Sequence, residues 1–135
     1  MNEKNNLRLI DANLNRLREG IRVVEDIYRY IYNDKQTALK LKELRHKART
    51  SNYNELLQTR DVKNDVLRSS IKSEQNRDDL NSILIANFKR AQESSRVLEE
   101  FTKLTSIKDS ENFKYIRYEL YTLETVLINI TSNSK

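Results

Sequence analysis

The chain has 135 residues, with 25 Lys and Arg against 20 Asp and Glu and a net charge of +5, a size that fits one domain or two small halves sharing a core. It holds no Cys and one His, which excludes a disulfide framework, a Cys nucleophile and any thiolate or His-rich metal centre. With one Gly and no Pro it has neither a Walker loop nor a dinucleotide fingerprint, and too few turn residues for a sheet-rich fold.

Five helical segments follow one another along the chain. The first is predicted over residues 7–32, where Ile10, Leu14, Leu17, Ile21, Val24, Tyr28 and Ile31 recur at alternating spacings of four and three. Asn33-Asp34 breaks it, and Asp34 is a suitable N-cap for a second helix over 35–48 that sets Ala38, Leu41, Leu44 and Ala48 on one side. A short third helix is expected at 52–58, anchored by Leu56 and Leu57, and residues 59–73 form the longest irregular connection. The fourth helix is predicted over 75–104, with Leu80, Leu84, Phe88, Ala91, Ser95 and Leu98 in the spacing of the first. Residues 105–110 are expected as a loop, with Ser110 starting a last helix to about residue 130 that buries Phe113, Ile116, Leu120, Leu123, Leu127 and Ile130 before a frayed tail. The expectation is a compact all-α bundle of about five helices in one domain spanning 1–135. No stretch approaches the roughly 20 apolar residues of a membrane span. The N-terminus, Met1-Asn2-Glu3-Lys4-Asn5-Asn6, lacks an apolar signal core, so a cytoplasmic protein is expected.

The fourth segment repeats the first. With Ala86 aligned on Ala12, Asn13 meets Asn87, Arg16 meets Arg90, Glu19 meets Glu93, Arg22 meets Arg96, Val23 meets Val97 and Glu25 meets Glu99. The implied organisation is two halves, about 7–58 and 75–130, joined by a connection at 59–74 and related by a pseudo-two-fold. At 100° per residue, Ala12, Arg16, Glu19 and Val23 fall on a strip roughly opposite the apolar stripe. Arg16, Glu19, Arg90 and Glu93 are therefore expected to be partly buried and to face a shared interior. There they would hold an anion such as a substrate phosphate, or pair off as an internal network that fixes helix register. Arg22 with Glu25, and Arg96 with Glu99, lie nearer the edge of the stripe, where exposed pairing is expected.

The connection carries Arg60, Asp61 and Asp65. Two Asp residues on a loop can support Mg²⁺ beside a nucleotide phosphate, or simply cap and shape turns. Residues 35–49 form a basic stripe with Glu43 as its single acid. Such a stripe can meet phosphates but is more often a solvated face, and the interspersed charge elsewhere argues against nucleic-acid binding. His46, within that stripe, reads as a surface residue rather than a base. Tyr28, Tyr30, Tyr32, Tyr115, Tyr118 and Tyr121 cluster on the first and last helices, either as packing groups or as stacking platforms for a flat ring.

Four motifs in order resemble the helical N-terminal domain of cyanobacterial-type thiamine-phosphate synthases. They are Leu9-Ile10-Asp11-Ala12-Asn13-Leu14-Asn15-Arg16, continuing through Arg18-Glu19-Gly20-Ile21-Arg22-Val23-Val24-Glu25-Asp26; Arg60-Asp61 with Asp65-Val66; Ala86-Asn87-Phe88-Lys89-Arg90 through Arg96-Val97-Leu98-Glu99-Glu100-Phe101; and Arg117-Tyr118 with Tyr121-Thr122-Leu123-Glu124. The resemblance covers nearly the whole chain and none of the barrel that follows in those enzymes, so the helical domain standing alone is expected. One departure is Leu67, where the family often places Gly after the acidic connecting motif. The resemblance implies a role in thiamine biosynthesis, binding or phosphorylating a hydroxymethylpyrimidine phosphate, with Mg²⁺ and ATP as cofactors if the domain is a kinase. It also implies a phosphorylated small molecule and a thiamine-phosphate synthase as partners, while the apolar stripes fit a second copy of the chain equally well. The site residues carried forward are Asn13, Arg16, Glu19, Asn87, Arg90, Glu93, Arg60, Asp61 and Asp65. The alternative is a non-catalytic helical module that dimerises or docks.

Overall fold

The structure, a computed structural model, describes residues 2–50, 52–61, 63–67, 77 and 79–133. Among them are five α-helices and no strand: α1 (Glu3–Asp26), α2 (Lys35–Lys47), α3 (Tyr53–Thr59), α4 (Leu80–Phe101) and α5 (Ile107–Asn133). Four of the five helix starts carry a side-chain cap. The Asn2 side chain accepts from the amide of Lys4 at 2.8 Å and starts α1. Asp34 accepts from the Thr37 amide at 3.1 Å and starts α2, and Asp79 accepts from the Ser82 amide at 2.8 Å and starts α4. The last helix starts three residues before the expected Ser110. Ser106 accepts from the Asp109 amide at 3.2 Å, while Ser110 is buried and donates its hydroxyl to the Glu99 carbonyl at 2.7 Å.

After Asp26 the first helix widens into a single π turn, Ile27–Ile31, closed by the Tyr32 amide on the Ile27 carbonyl at 3.1 Å. Asn33 follows at φ 53°, a left-handed conformation that Asn tolerates, and turns the chain into α2. The wide turn ends the apolar spacing one step early. Tyr28 is buried, but Ile31, expected in the stripe, is 56% exposed. The second long helix ends differently, in a 3₁₀ turn at Thr102–Leu104, with the Thr102 hydroxyl donating to the Leu98 carbonyl at 2.6 Å.

The centre of the bundle is the packing of α1 on α4. Helix α5 also packs on α4, and α2 and α3 also pack on α1. Leu17, Ile21, Leu84, Phe88, Leu98, Phe113 and Ile116 are fully buried in the shared core. Leu56 is buried there too, whereas its expected co-anchor Leu57 faces out. Gly20, the chain's one glycine, stands where α1 and α4 come closest. A Cβ there would lie 3.1 Å from the Asn87 carbonyl oxygen and 3.3 Å from the Ala91 nitrogen. The side chain of Ile130 and residues 68–76, 134 and 135 lie outside the described residues, and with them part of the expected connection.

Two glutamates sit inside this bundle. Glu25, at the end of α1, receives Arg45 of α2, with Nε to Oε1 at 2.7 Å and Nη2 to Oε2 at 3.3 Å. Glu99, at the end of α4, receives Arg117 of α5 through Nε at 3.1 Å and Nη2 at 2.9 Å, and Arg96 at 3.3 Å. Exposed pairing was expected at these positions. Arg22 and Arg96 are indeed exposed, but both glutamates are buried, because they occupy stripe positions four residues after Ile21 and Ser95 and three before Tyr28 and Thr102. Desolvation alone would lower the Arg117 pKa, yet its bonds to Glu99 raise it, and the Glu25 bond holds Arg45 above its ordinary range.

The expected burial of Arg16, Glu19, Arg90 and Glu93 is not found: all four are exposed. The reason is angular. α1 buries one broad stripe that α4 meets along one edge and α2 and α3 meet along the other, so its two packed surfaces adjoin and are not opposed. The strip through Ala12, Arg16 and Glu19 faces solvent, and only Val23 at its end packs against the core. Asn13 and Asn87 are buried instead, each donating its Nδ2 to a carbonyl four residues back, Leu9 at 2.9 Å and Ile83 at 2.8 Å.

Candidate functional site

A cleft of about 470 Å³ opens where α1 passes the connection after α3, lined by Arg8, Asp11, Arg16, Arg60, Asp61 and Asp65 among others. Its anchor is a fork. Asp11 is 5% exposed, and Arg60 closes on it with Nε to Oδ2 and Nη2 to Oδ1, both at 2.8 Å. This planar, two-bond geometry is the strong form of a carboxylate–guanidinium pair. It pins the first residue after α3 to the first third of α1, 49 positions earlier in the chain. Arg8, one turn before Asp11, donates to the backbone carbonyl of Asp61 at 3.3 Å and holds the next residue of the connection in place.

The connection then curls on its own carboxylates. Asp61 accepts from the Asn64 amide at 3.2 Å and from its Nδ2 at 2.8 Å, and Asp65 accepts from the Leu67 amide at 3.0 Å. The Asn64 side chain, then its amide, holds the Asp61 carboxyl below the usual carboxylate range, with smaller help from Arg8 and Lys4. These are turn-forming bonds. Among the described residues, no three His, Cys, Asp or Glu side chains gather in a way that would hold a metal ion.

Arg16 differs from its neighbours. It borders the cleft, is exposed, and forms no hydrogen bond or ion pair among the described residues. A guanidinium left open beside a locked Asp11–Arg60 fork is a ready donor for a phosphate or carboxylate. Of the sequence candidates, the structure brings together Arg16, Arg60, Asp61 and Asp65. Asn13, Glu19, Asn87, Arg90 and Glu93 do not line this cleft. Sequence reasoning missed Asp11 and Arg8. The signal for Asp11 was available: it lies four residues after Leu7 and three before Leu14, a charged group within an apolar stripe, which calls for a partner.

The model of the ThiD2 family matches residues 8–126. The chain belongs to the ThiD2 family. Curated relatives agree. The thiamine-phosphate synthase of Nostoc punctiforme is 39% identical over 122 residues, covering 90% of this chain and 35% of the relative. That of Thermosynechococcus vestitus is 40% identical over 121 residues, 89% of this chain and 34% of the relative. That of Prochlorococcus marinus is 37% identical over 126 residues, 93% and 36%. This ThiD2 family member thus spans about a third of the length of the synthases it matches. No solved structure is a significant match. Among the described residues, no helix is long and apolar enough to cross a membrane.

Proposed function

We propose that this protein serves thiamine biosynthesis by binding a phosphorylated pyrimidine, a hydroxymethylpyrimidine phosphate, in the cleft between α1 and the connection after α3. The observation that carries the reading is the unpaired Arg16 guanidinium beside the Asp11–Arg60 fork. The relatives' name, thiamine-phosphate synthase, supports the pathway and the phosphate-bearing class of ligand. Arg16 and Arg8 supply positive charge to the phosphate, and the fork keeps both walls of the cleft at fixed separation. With one glycine, used at a helix crossing, any nucleotide phosphate would have to be held by side chains rather than by a backbone cradle. A thiamine-phosphate synthase is the natural protein partner in this reading.

Calorimetry with hydroxymethylpyrimidine phosphate tests it. Saturable binding is expected, weakened roughly tenfold or more in Arg16→Ala, as the loss of one charge-assisted contact implies. No binding to the wild-type chain, or unchanged affinity in the variant, refutes the site. Adding ATP and Mg²⁺ and following the ester by ³¹P NMR separates a kinase, which adds a second phosphate, from a binding domain, which leaves the ester unchanged.

A further inference from the structure

On the other side of α3 is a second basin, unrelated to the cleft above. It encloses about 540 Å³ where α1, the end of α2 and the start of α3 meet, within the size range of small-molecule sites. Its floor is apolar, made of Leu14, Ala48 and Leu56, which are 7%, 0% and 1% exposed. Its rim is basic, made of Arg18, His46 and Arg49. Among the described residues no carboxylate lines it, and the side chains of Arg18, His46 and Arg49 form no hydrogen bond or ion pair.

The rest of the basic stripe is accounted for differently. Arg45 is bound to Glu25, Lys40 lies 3.5 Å from Glu119, and Lys47 rests on the Tyr115 ring at 4.5 Å. Arg45, His46 and Lys47 also complement the negative end of α2. That argument does not reach Arg49, beyond the helix, or Arg18, which comes from α1. Two guanidiniums from separate elements, converging unpaired over an apolar floor, call for an anion with an apolar body.

We propose that this basin is a second ligand site, for a phosphate ester or diphosphate carrying a compact apolar or aromatic group. Arg18 and Arg49 bind the phosphate oxygens, His46 contributes a ring N–H, and the body lies on Leu14 and Leu56. Arg16 and Arg18 are two residues apart on α1, about 200° around the helix, so the two openings point to different sides.

Inorganic pyrophosphate and phenyl phosphate are the probes, followed by calorimetry and by amide shifts of Thr50 in the full chain. Both probes are expected to bind, phenyl phosphate with additional shifts at Leu14 and Leu56. Arg18→Ala and Arg49→Ala should each raise the probe concentration that half-saturates the Thr50 shift roughly tenfold. Circular dichroism and His46→Gln, a milder change, guard against loss of fold. Absence of saturable binding overturns the proposal. So does a Thr50 shift that keeps its wild-type midpoint in both basin variants, or one lost only in Arg16→Ala, which would place the anion in the first cleft.

Discussion

Replacing Arg45 with Met tests whether the inward-facing glutamates are held by their partners. Glu25 is 2% exposed at its side chain and Arg45 14%, so this pair is among the most enclosed ion pairs of the described chain. Met keeps most of the stem's packing and removes the charge, leaving a nearly buried carboxylate without its partner. Breaking a buried pair in this way costs about 3–5 kcal/mol, against a total stability of roughly 5–15 kcal/mol for a domain. In urea, with a slope of roughly 2 kcal/mol per molar, the midpoint should fall by about 1.5–2.5 M, and thermal unfolding should come on the order of 10 °C earlier. The double variant Glu25→Leu with Arg45→Met should recover most of the loss, since two apolar groups of similar volume need no partner. Adding salt should change little, because the pair is shielded from solvent ions. A single-variant loss below about 1 kcal/mol, or a double variant no better than the single, would refute the reasoning.

Two further outcomes follow from the same geometry. Gly20→Ala gains about 1 kcal/mol of helix propensity but forces a Cβ against backbone atoms of α4 at 3.1 and 3.3 Å. Overpacking costs about 1–3 kcal/mol, so urea titration should show a net loss, larger in Gly20→Val, and a stabilised alanine variant would contradict the close approach. Asp61 titrates below the usual carboxylate range because Asn64 bonds its charged form. A depressed native pKa adds stability that is present above the unfolded value and is lost as pH falls through the native one. Carboxyl ¹³C NMR should show the Asp61 pKa rising toward its ordinary value in Asn64→Ala, and identical titrations in the two proteins would rule out that capping bond.

Much of the bundle was legible in the sequence because its helices bury stripes of regular period. The stripes through Leu14–Leu17–Ile21 and Leu84–Phe88–Ala91 are buried as their spacing implies, and Asp34 caps α2 as read. Periodicity locates the centre of a buried face but not its width. That is why Arg16 and Glu19, on a supposed second face, are exposed. Tertiary partners were the illegible part. Nothing local joins Asp11 to Arg60 across 49 positions, or Glu25 to Arg45 across 20. In hindsight, a carboxylate at a stripe position was the cue in each case. Of the candidate site, the connection motif Arg60-Asp61 with Asp65 was read from the sequence, and Arg16 was chosen for a buried face that it does not occupy.

The π turn at Ile27–Ile31 has a genetic consequence. It stores one residue more than an α-helical turn requires. Excising one codon there would close the helix at regular pitch, four residues turning about as far as the five of the wide turn, so the chain beyond keeps its direction. Asn33 would still turn the chain into α2, and Arg45 would still face Glu25. The segment should therefore accept the loss of one residue more readily than the gain of one.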